Sequence, residues 1–483
     1  MINKEKLSKE INKLLKEHKE ISVRLAIMKD GEIVFNEGYG YRDYENKIET
    51  DEDTVYAIAS ISKSFTAAAV AKLVEEGKLE WDKPVKFYIP EFEMYDPYVT
   101  KELSVRDILC HRCGLPGHGM VCYLNKYSSE ELINKLKYLK PSAPFRNTLQ
   151  YSNLMYALAG YLIERVTGKR WYEYIDEVIV KPLGMENTFF YPENVEKIEN
   201  KALPYDLSTG EIVQIPYYHF PLNSTIGAAG SIYSNIKGLL KWMEFNLNKG
   251  IYNDKQIIGE KEILECHTPQ MLNKTLFYNE FEGIDFQSYG FGWMIESFKG
   301  HKIIHHGGNV AGFTSMTGFM PSQNAGFALL TNTNNLKLQL ILLYAVYDLI
   351  LGNENFEYWN KKIVNTMNKE LNKVKEGIKM FRSSCAKDSK PSFELEIYTG
   401  KYSNPAYGDV EIVKEDSQLF MKSGMGVIPI KHLCVNTFDA VANMNGYEMS
   451  IPVEFKTNIT GQITGAMIGF ESAIKEGIEF KRI

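Results

Sequence analysis

The strand-forming segments of this 483-residue chain lie at the two ends of one long region, and helical patterns fill the stretch between them. Residues 21–28 and 32–39 flank the turn Lys29-Asp30-Gly31 and are predicted to form a hairpin. Short apolar runs return only after residue 290, whereas residues 81–276 show mostly helical spacing. Because a sheet must bury its apolar face against helices, the early and late strands are expected to share one sheet. The sequence therefore predicts an α/β (α+β) fold with a helical insertion.

The individual elements follow from apolar periodicity and from stop signals. Leu7, Ile11 and Leu14 recur at helical spacing, and Gly77 ends a helix that begins near Ser60. The predicted helices cover residues 4–18, 60–76, 105–110, 129–139, 154–167, 236–249 and 336–351. The predicted late strands cover residues 291–295, 302–305, 314–320 and 326–331.

The pattern changes again near the C-terminal end. A charged helix is predicted over residues 353–381, and a polar breaker stretch follows it. Turn pairs such as Asn445-Gly446 and Thr460-Gly461 then separate short runs of alternating apolar residues, which predicts a small antiparallel β-barrel or sandwich. We therefore divide the chain into a domain at residues 1–352, a helical segment and linker at 353–392, and a second domain at 393–483.

Composition excludes several kinds of partner. Apolar residues make up 44% of the chain and charged residues 24%, and the formal net charge is −6. Acidic and basic residues are interspersed, so the clustered basic face of a nucleic-acid-binding protein is not expected. The most apolar run, residues 338–351, contains Gln339 and Asp348 and is too short to span a bilayer. The first residues lack the apolar core of a signal peptide, so we expect a cytoplasmic protein with no membrane span.

A group of cysteines and histidines needs a separate interpretation. Cys110, His111, Cys113, His118 and Cys122 approach the spacing of a zinc knuckle. The alternative is that small cysteines fill a junction between a helix and a loop. A closed zinc site needs four well-spaced ligands, which this Gly/Pro-containing loop does not suggest. We expect no metal and no cofactor, and no disulfide in a reducing compartment.

Ser60 and Lys63 form the first of three motifs that could build one catalytic site. Lys63 lies one helical turn after Ser60, so its amine can reach the serine hydroxyl. A serine hydroxyl is a weak nucleophile until a base takes its proton, and a lysine can act as that base only when its environment keeps it neutral. The alternative is an N-cap serine followed by a solvated lysine, and the same spacing recurs at Ser234 and Lys237.

Tyr151 and Asn153 form the second motif, at the start of a predicted helix. A tyrosine hydroxyl there can point into a cleft, and a nearby lysine ammonium would lower its pKa and allow it to act as a base or proton relay. Asn153 offers both a donor and an acceptor to a substrate amide. The alternative is a capping Ser152 and Asn153 beside a core tyrosine.

His306, Gly307 and Gly308 form the third motif, after a predicted strand. Glycines let a ligand approach the backbone of an edge strand, and a histidine could bind or polarise the substrate. The alternative is a glycine bulge with a surface histidine. If the strand pattern holds, His305 points the other way and is structural.

The three motifs, in this order, resemble the signature of the serine β-lactamase and penicillin-binding-protein superfamily, in its class C-like branch of peptidases and esterases. Further segments of the chain are similar to that branch: Lys181-Pro182-Leu183-Gly184-Met185, Tyr289-Gly290-Phe291-Gly292-Trp293 and Gly312-Phe313. The resemblance covers residues 21–351 and implies an antiparallel sheet flanked by helices. Residues 393–483 resemble the lipocalin-like barrel that some members carry. The segment from Cys110 to Leu115 resembles a structural loop of the superfamily, which argues against zinc.

The resemblance also implies a role for each residue. Ser60 would be the acylated nucleophile, with Lys63 and Tyr151 as the candidate bases. Asn153, His306 and Gly308 would contact the substrate. The backbone N–H groups of Ser60 and Asn309 would form an oxyanion hole.

One departure from the superfamily bears on the substrate. His306 stands where many relatives have a lysine that meets the carboxylate of a β-lactam or a C-terminal D-alanine. We therefore expect a serine hydrolase that acts through an acyl-enzyme on a peptide or small-molecule substrate, such as D-amino-acid peptides or small esters. The alternatives are a catalytically weak protein that binds peptides or β-lactams, and a β-lactamase. Specificity is expected to reside in the loops at residues 117–127 and 205–225.

Overall fold

A computed structural model describes residues 2–190, 192–208, 210–217, 226–274, 280–385, 389–444 and 447–483. Its helices are α1 (Lys4–His18), α2 (Ser62–Glu75), α3 (Val85–Tyr88), α4 (Pro97–Glu102), α5 (Val105–Leu109), α6 (Met120–Leu124), α7 (Ser129–Lys135), α8 (Asn153–Thr167), α9 (Trp171–Ile175), α10 (Pro192–Glu196), α11 (Ile236–Leu247), α12 (Glu260–Cys266), α13 (Leu336–Ile350), α14 (Phe356–Ser384) and α15 (Leu395–Tyr398).

The strands form one large sheet, one barrel and three short pairs. They are β1 (Ser22–Lys29), β2 (Glu32–Asp43), β3 (Ile48–Glu49), β4 (Tyr56–Ala57), β5 (Tyr205–Asp206), β6 (Val213–Gln214), β7 (Tyr233–Ser234), β8 (Ile251–Tyr252), β9 (Lys255–Gln256), β10 (Met271–Leu272), β11 (Gln287–Tyr289), β12 (Met294–Phe298), β13 (His301–Val310), β14 (Phe313–Met320), β15 (Ala325–Thr331), β16 (Gly400–Asn404), β17 (Gly408–Glu415), β18 (Gln418–Ser423), β19 (Gly426–Cys434), β20 (Thr437–Met444), β21 (Tyr447–Thr457), β22 (Ile463–Ile468) and β23 (Ile478–Arg482).

The large sheet joins the early and late strands, as the sequence predicts. Within the described residues its order is β10-β11-β12-β13-β14-β15-β1-β2-β3, and its pairs are antiparallel. The link between the two groups is β1 against β15, where Val23 pairs with Thr331. The predicted mixed fold is therefore confirmed.

Both faces of this sheet are buried, and the side chains of β1 alternate between the two buried layers. Val23, Leu25 and Ile27 belong to an apolar cluster that also contains buried residues of α1 and α13. Ala26 and Met28, the intervening residues, belong to a second cluster with α2, α8 and α11. Successive side chains of a strand point to opposite faces, so one strand contributes to both layers. The second cluster is the one that surrounds the candidate catalytic residues.

Several predicted elements differ from the structure. β13 runs to Val310, so His306, Gly307 and Gly308 lie within the strand and not after it. Two other predicted elements also differ. Ser60 does not lie on the predicted α-helix but in a 3-10 turn, Ala59–Ile61, and α2 begins at Ser62. The predicted strand at residues 291–295 is displaced to Met294–Phe298, because Gly290 N–H donates to Trp293 O and Gly292 has a positive φ of 74°. Both features are local turns within apolar runs, which periodicity alone does not reveal.

The C-terminal strands close into a barrel in the order β16-β17-β18-β19-β20-β21-β22-β23. The prediction of a barrel or sandwich is thus settled in favour of the barrel. Tyr398, Tyr402, Phe438 and Phe455 are buried and contact one another through their rings in its interior. The described interior is therefore packed with side chains. In the part of the chain that the structure covers, no helix has both the length and the hydrophobicity needed to cross a membrane.

Candidate active site

The turn that carries Ser60 is fixed by close packing against β13. Ile58 accepts a hydrogen bond from Ser315 Oγ at 2.8 Å, and a Cβ at Gly308 would lie only 2.1 Å from the Ile58 carbonyl oxygen. Glycine at position 308 therefore lets the strand approach the turn. Ala59, directly before the serine, has a φ of +44°, a left-handed conformation that is unusual for a residue with a Cβ. Such strain is typical of functional sites.

Lys63 lies in the first turn of α2 and is completely buried. Its Nζ is 3.0 Å from Ser60 Oγ and donates to the carbonyl oxygen of Ala229 at 2.7 Å. Burial lowers the pKa of Lys63 well below its ordinary value. An amine that is neutral and donates to Ala229 keeps its lone pair for the serine hydroxyl.

Tyr151 lies on the other side of the serine. Its hydroxyl is hydrogen-bonded to Ser60, and its ring centroid is 4.7 Å from Lys63 Nζ. Burial raises the pKa of Tyr151, and the hydrogen bond to Ser60 lowers it only in part. A lysine ammonium beside Tyr151 would lower the pKa of the tyrosine, which is the direction that the sequence predicts. The direction is the opposite because burial of the tyrosine has the larger effect on its pKa.

Asn153 is the first residue of α8 and lines the cavity beside Ser60. Its Oδ1 is buried and has no hydrogen-bond partner among the described residues. A buried amide oxygen without a partner is unfavourable unless another molecule supplies the donor. The geometry therefore leaves Asn153 available to a ligand N–H.

His306 is brought near these residues, but it is engaged on both sides. Its Nδ1 is 2.7 Å from the carbonyl oxygen of Gly307, which can only accept, so Nδ1 carries the hydrogen. Its Nε2 then accepts from Tyr289 Oη at 3.0 Å. Burial lowers the pKa of His306 to about 3. His306 is thus a neutral, buried side chain in this arrangement. Its neighbour His305 points elsewhere and lies 3.0 Å from Glu296 Oε1.

The cavity beside Ser60 is small and uncharged. Its volume is about 40 Å³, and none of the described residues that line it carries a formal charge. Asn309 lines it, with its side-chain amide donating to Gln339 Oε1 at 3.1 Å, whereas Gly308 acts through its packing on Ile58. The described lining residues are Ala59, Ser60, Asn153, Ile226, Ala229, Gly230, Asn309 and Val310.

β13 presents a free edge to this cavity. β12 pairs only with residues 301–305 of β13, so on that side residues 306–310 have no strand neighbour in the described part of the chain. The edge lies against the turn that carries Ser60. Main-chain groups of an edge strand are available to an extended ligand.

Three residues contact the site but have no role there in the sequence-based prediction: Ala229, Tyr289 and His111. Ala229 and Tyr289 contact Lys63 and His306, but they are distant in sequence and give no local signal. The sequence offered His111 as a possible zinc ligand or as part of a structural loop. Its Nδ1 accepts from the main-chain N–H of Ser152, and its ring lies 4.4 Å from that of Tyr151. His111 therefore supports the second motif directly.

The other sequence predictions at this site can be placed as follows. Cys110, Cys113 and Cys122 are free and buried, and the described residues contain no group of three His, Cys, Asp or Glu side chains suited to a metal ion. The loop at residues 117–127 lies in the described part of the chain. Residues 209 and 218–225 of the second proposed specificity loop lie outside the described residues.

The fold and the grouping of these side chains define a β-lactamase-like protein with a C-terminal barrel. The chain belongs to the Beta-lactamase family, whose sequence profile matches residues 7–346. A second profile, for a domain of unknown function called DUF3471, matches residues 385–482.

Relatives of the chain include hydrolases. It is 28% identical over 473 residues to an unguisins hydrolase of Aspergillus campestris, covering 91% of this chain and 84% of that protein. The octameric penicillin-binding protein homologue from Pyrococcus abyssi has a similar structure, with a TM-score of 0.63, 25% identity, and coverage of 98% of this chain and 99% of that one. The D-amino acid amidase from Ochrobactrum anthropi SV3 shares the fold, with a TM-score of 0.58, 22% identity, and coverage of 76% of this chain and 99% of that chain.

Proposed function

We propose that the protein is a serine hydrolase that forms an acyl-enzyme at Ser60 on uncharged amide or ester groups. The observation that carries the proposal is the contact between Ser60 Oγ and Lys63 Nζ at 3.0 Å, inside a site where Lys63 is completely buried. A buried lysine without a carboxylate partner is a base rather than a cation near neutral pH.

Activation of the serine follows from the two hydroxyl contacts. Ser60 Oγ lies 3.0 Å from Lys63 Nζ and is hydrogen-bonded to the Tyr151 hydroxyl. As the serine attacks, its proton passes to the lone pair of neutral Lys63, and the Tyr151 hydroxyl then donates to the serine side. Tyr151 stays protonated because burial raises its pKa. This assignment makes Lys63 the base and Tyr151 the donor, a choice that the sequence left open.

Acyl transfer then needs a proton for the leaving group and a site for the oxyanion. Tyr151 is placed beside Ser60 to protonate the leaving group, and the proton that Lys63 took from the serine is then returned to the tyrosine, since both groups meet at Ser60. The main-chain N–H groups of Ser60 and Asn309 both border the cavity and are the proposed oxyanion donors. One such donor is worth about 3–4 kcal/mol in other enzymes.

The lining of the cavity favours an uncharged reacting group. Asn153 offers its unpartnered Oδ1 to a substrate N–H, and His306 is held neutral where a carboxylate-binding cation would be needed. Two similar proteins, an unguisins hydrolase and a D-amino acid amidase, support hydrolysis and, in the second case, an amide substrate. We propose D-amino-acid amides, D-amino-acid peptides and small esters as the substrate class.

Intact-mass spectrometry after incubation with a fluorophosphonate probe tests the mechanism. A single adduct on the wild-type chain that is absent from Ser60→Ala and retained by Ser234→Ala is the expected result. The absence of an adduct from the wild-type chain would overturn the acyl-enzyme proposal and leave the binding-protein alternative. Rapid hydrolysis of nitrocefin, in contrast, would point to a β-lactamase.

A further inference from the structure

The C-terminal barrel contacts the part of the chain that contains the large sheet, and it does so through a segment next to the candidate site. We call residues 117–127 the contact segment. Asn125 Nδ2 donates to the carbonyl oxygen of Tyr407 at 2.9 Å, and Tyr127 Oη donates to that of Ala406 at 3.1 Å. The turn before β17 therefore holds the distal half of the contact segment.

His118, at the proximal end of the contact segment, is completely buried. Its Nε2 is 2.9 Å from the carbonyl oxygen of Lys140, which can only accept, so the hydrogen is on Nε2. Nδ1 then accepts from Tyr407 Oη at 2.6 Å. Burial lowers the pKa of His118 and raises that of Tyr407, so both partners stay in the neutral forms that this hydrogen bond requires.

A second barrel residue holds the main chain at the same place. Glu471 Oε2 accepts from the main-chain N–H of His118 at 2.7 Å, and Oε1 accepts from Ala473 N–H at 3.1 Å. His118 has a φ of +42°, which is sterically unfavourable for a residue with a Cβ. The backbone would leave this conformation unless neighbouring groups held it there. The barrel supplies that support from a loop between β22 and β23.

Gly117 connects this contact to the catalytic tyrosine of the proposed mechanism. A Cβ at Gly117 would lie 3.7 Å from Glu471 Oε2 and 3.9 Å from the carbonyl oxygen of Tyr151. The space beside the Gly117 Cα is therefore bordered by the barrel carboxylate and by the main chain of Tyr151. The barrel, which holds the main chain at His118, thus fixes the segment beside the tyrosine that meets Ser60.

We infer that Tyr407 and Glu471 are positioning residues that the second domain contributes to the site, holding Gly117 and His118 so that Tyr151 stays in contact with Ser60. This inference rests on the proposed function. The barrel would then contribute to turnover. A role in ligand storage is not favoured, because the described interior of the barrel is filled with side chains.

Tyr407→Phe tests the inference, because it removes only the hydroxyl that donates a hydrogen bond to His118 Nδ1. Tyr402→Phe is the matched control, since Tyr402 is equally buried and donates to the carbonyl oxygen of Tyr398 within the barrel. With 4-nitrophenyl acetate as substrate, we expect kcat of Tyr407→Phe to fall about tenfold with KM changed less than about twofold, because misplaced groups lower the rate rather than binding. Equal kcat values for the two variants would overturn the inference.

Glu471 provides a conservative rescue. Glu471→Gln keeps an oxygen that can accept from His118 N–H and is expected to retain kcat within about twofold, whereas Glu471→Ala is expected to lose about tenfold. A loss in Glu471→Gln as large as in Glu471→Ala would contradict a role through this hydrogen bond.

The same experiments separate the two proposals. If neither the wild-type chain nor Tyr402→Phe acquires a fluorophosphonate adduct at Ser60, the proposed function fails. If both acquire it and Tyr407→Phe acquires it at the same rate and turns over equally fast, only the positioning inference fails.

Discussion

Two of the places in this molecule that have the Ser-x-x-Lys spacing differ sharply in their electrostatics. Lys63 is completely buried, contacts Ser60 and a carbonyl oxygen, and has a lowered pKa. Lys237 is 40% exposed, and its Nζ lies 2.9 Å from carboxylate oxygens of both Glu52 and Asp53. Its hydrogen bond to Glu52 raises its pKa. The comparison teaches that burial and partners, not spacing, make a lysine a base.

The serines of the two places differ in the same way. Ser60 faces a cavity, whereas Ser234 is fully buried in β7 and its hydroxyl is 2.8 Å from that of Thr188. A buried serine satisfied by a neighbouring threonine cannot attack a substrate. Substitutions at the two places therefore offer paired tests of the site.

The largest effect is expected from the serines. Ser60→Ala should reduce hydrolysis of 4-nitrophenyl acetate by at least about 10⁴-fold, because loss of a catalytic nucleophile removes the covalent route. Ser234→Ala should leave kcat/KM within about twofold. Comparable losses in both variants would show that the effect arises from folding and would remove Ser60 from the mechanism.

The lysines should show the next largest difference. Lys63→Met should lower kcat by about 10²–10⁴-fold, the usual contribution of a general base, while Lys237→Met should have little effect. Lys63→Met should also raise the thermal midpoint by a few degrees, since a lysine that is charged when unfolded and neutral when folded destabilises the native state below pH 10. Steady-state kinetics and calorimetry on the same samples check both statements. A fully active Lys63→Met would contradict the assignment of the base.

Tyr151→Phe should lower kcat by about 10²-fold, because the ring still packs against His111 while the proton donor is lost. KM is expected to change little. The matched control is Tyr156→Phe on α8, whose hydroxyl donates to the Leu109 carbonyl oxygen. Tyr151→Phe with wild-type turnover would return the proton-donor role to Lys63 alone.

The smallest expected effect is the change of kcat/KM with pH near neutrality. A lysine at its ordinary pKa is neutral in only about one molecule in 3,000 at pH 7, so a base like Lys237 would give activity that rises tenfold per pH unit through neutrality. Because the pKa of Lys63 is lowered, its neutral form persists below its usual range, and activity should be level near pH 7 and decline only as acid protonates Lys63. Measurement of kcat/KM between pH 5 and 10 would decide. A slope of one across pH 7 would contradict a buried neutral Lys63.

Much of the fold is readable in the sequence because its signals are local. The apolar residues Leu7, Ile11 and Leu14 define α1, which runs from Lys4 to His18 as predicted. The strand predicted at residues 291–295 was wrong, since Gly290 and Gly292 turn the chain within an apolar run. A tertiary contact explains that turn: a Cβ at Gly292 would lie 2.7 Å from the Lys63 carbonyl oxygen.

The candidate site was predictable only in part for the same reason. The short spacing between Ser60 and Lys63 is visible in the sequence, and so is that between Tyr151 and Asn153. The state of each group depends on partners such as Ala229 and Tyr289, which the fold brings from distant positions. Hence the direction of the Tyr151 pKa shift and the engagement of His306 could not be read from the motifs. The roles of these residues stay predictions until the variants are measured.

The pairing of β1 with β15 has a consequence for the synthesis of the protein. The ribosome makes the segment with Ser60 and Lys63 early, but β1 pairs with β15, whose last residue is Thr331. The turn at Ser60 is held by Ser315 and Gly308, which are also made late. A nascent chain should therefore carry the proposed nucleophile without an assembled site until the late strands have emerged, and hydrolysis is expected only from that point. Such long-range closure also predicts slow folding.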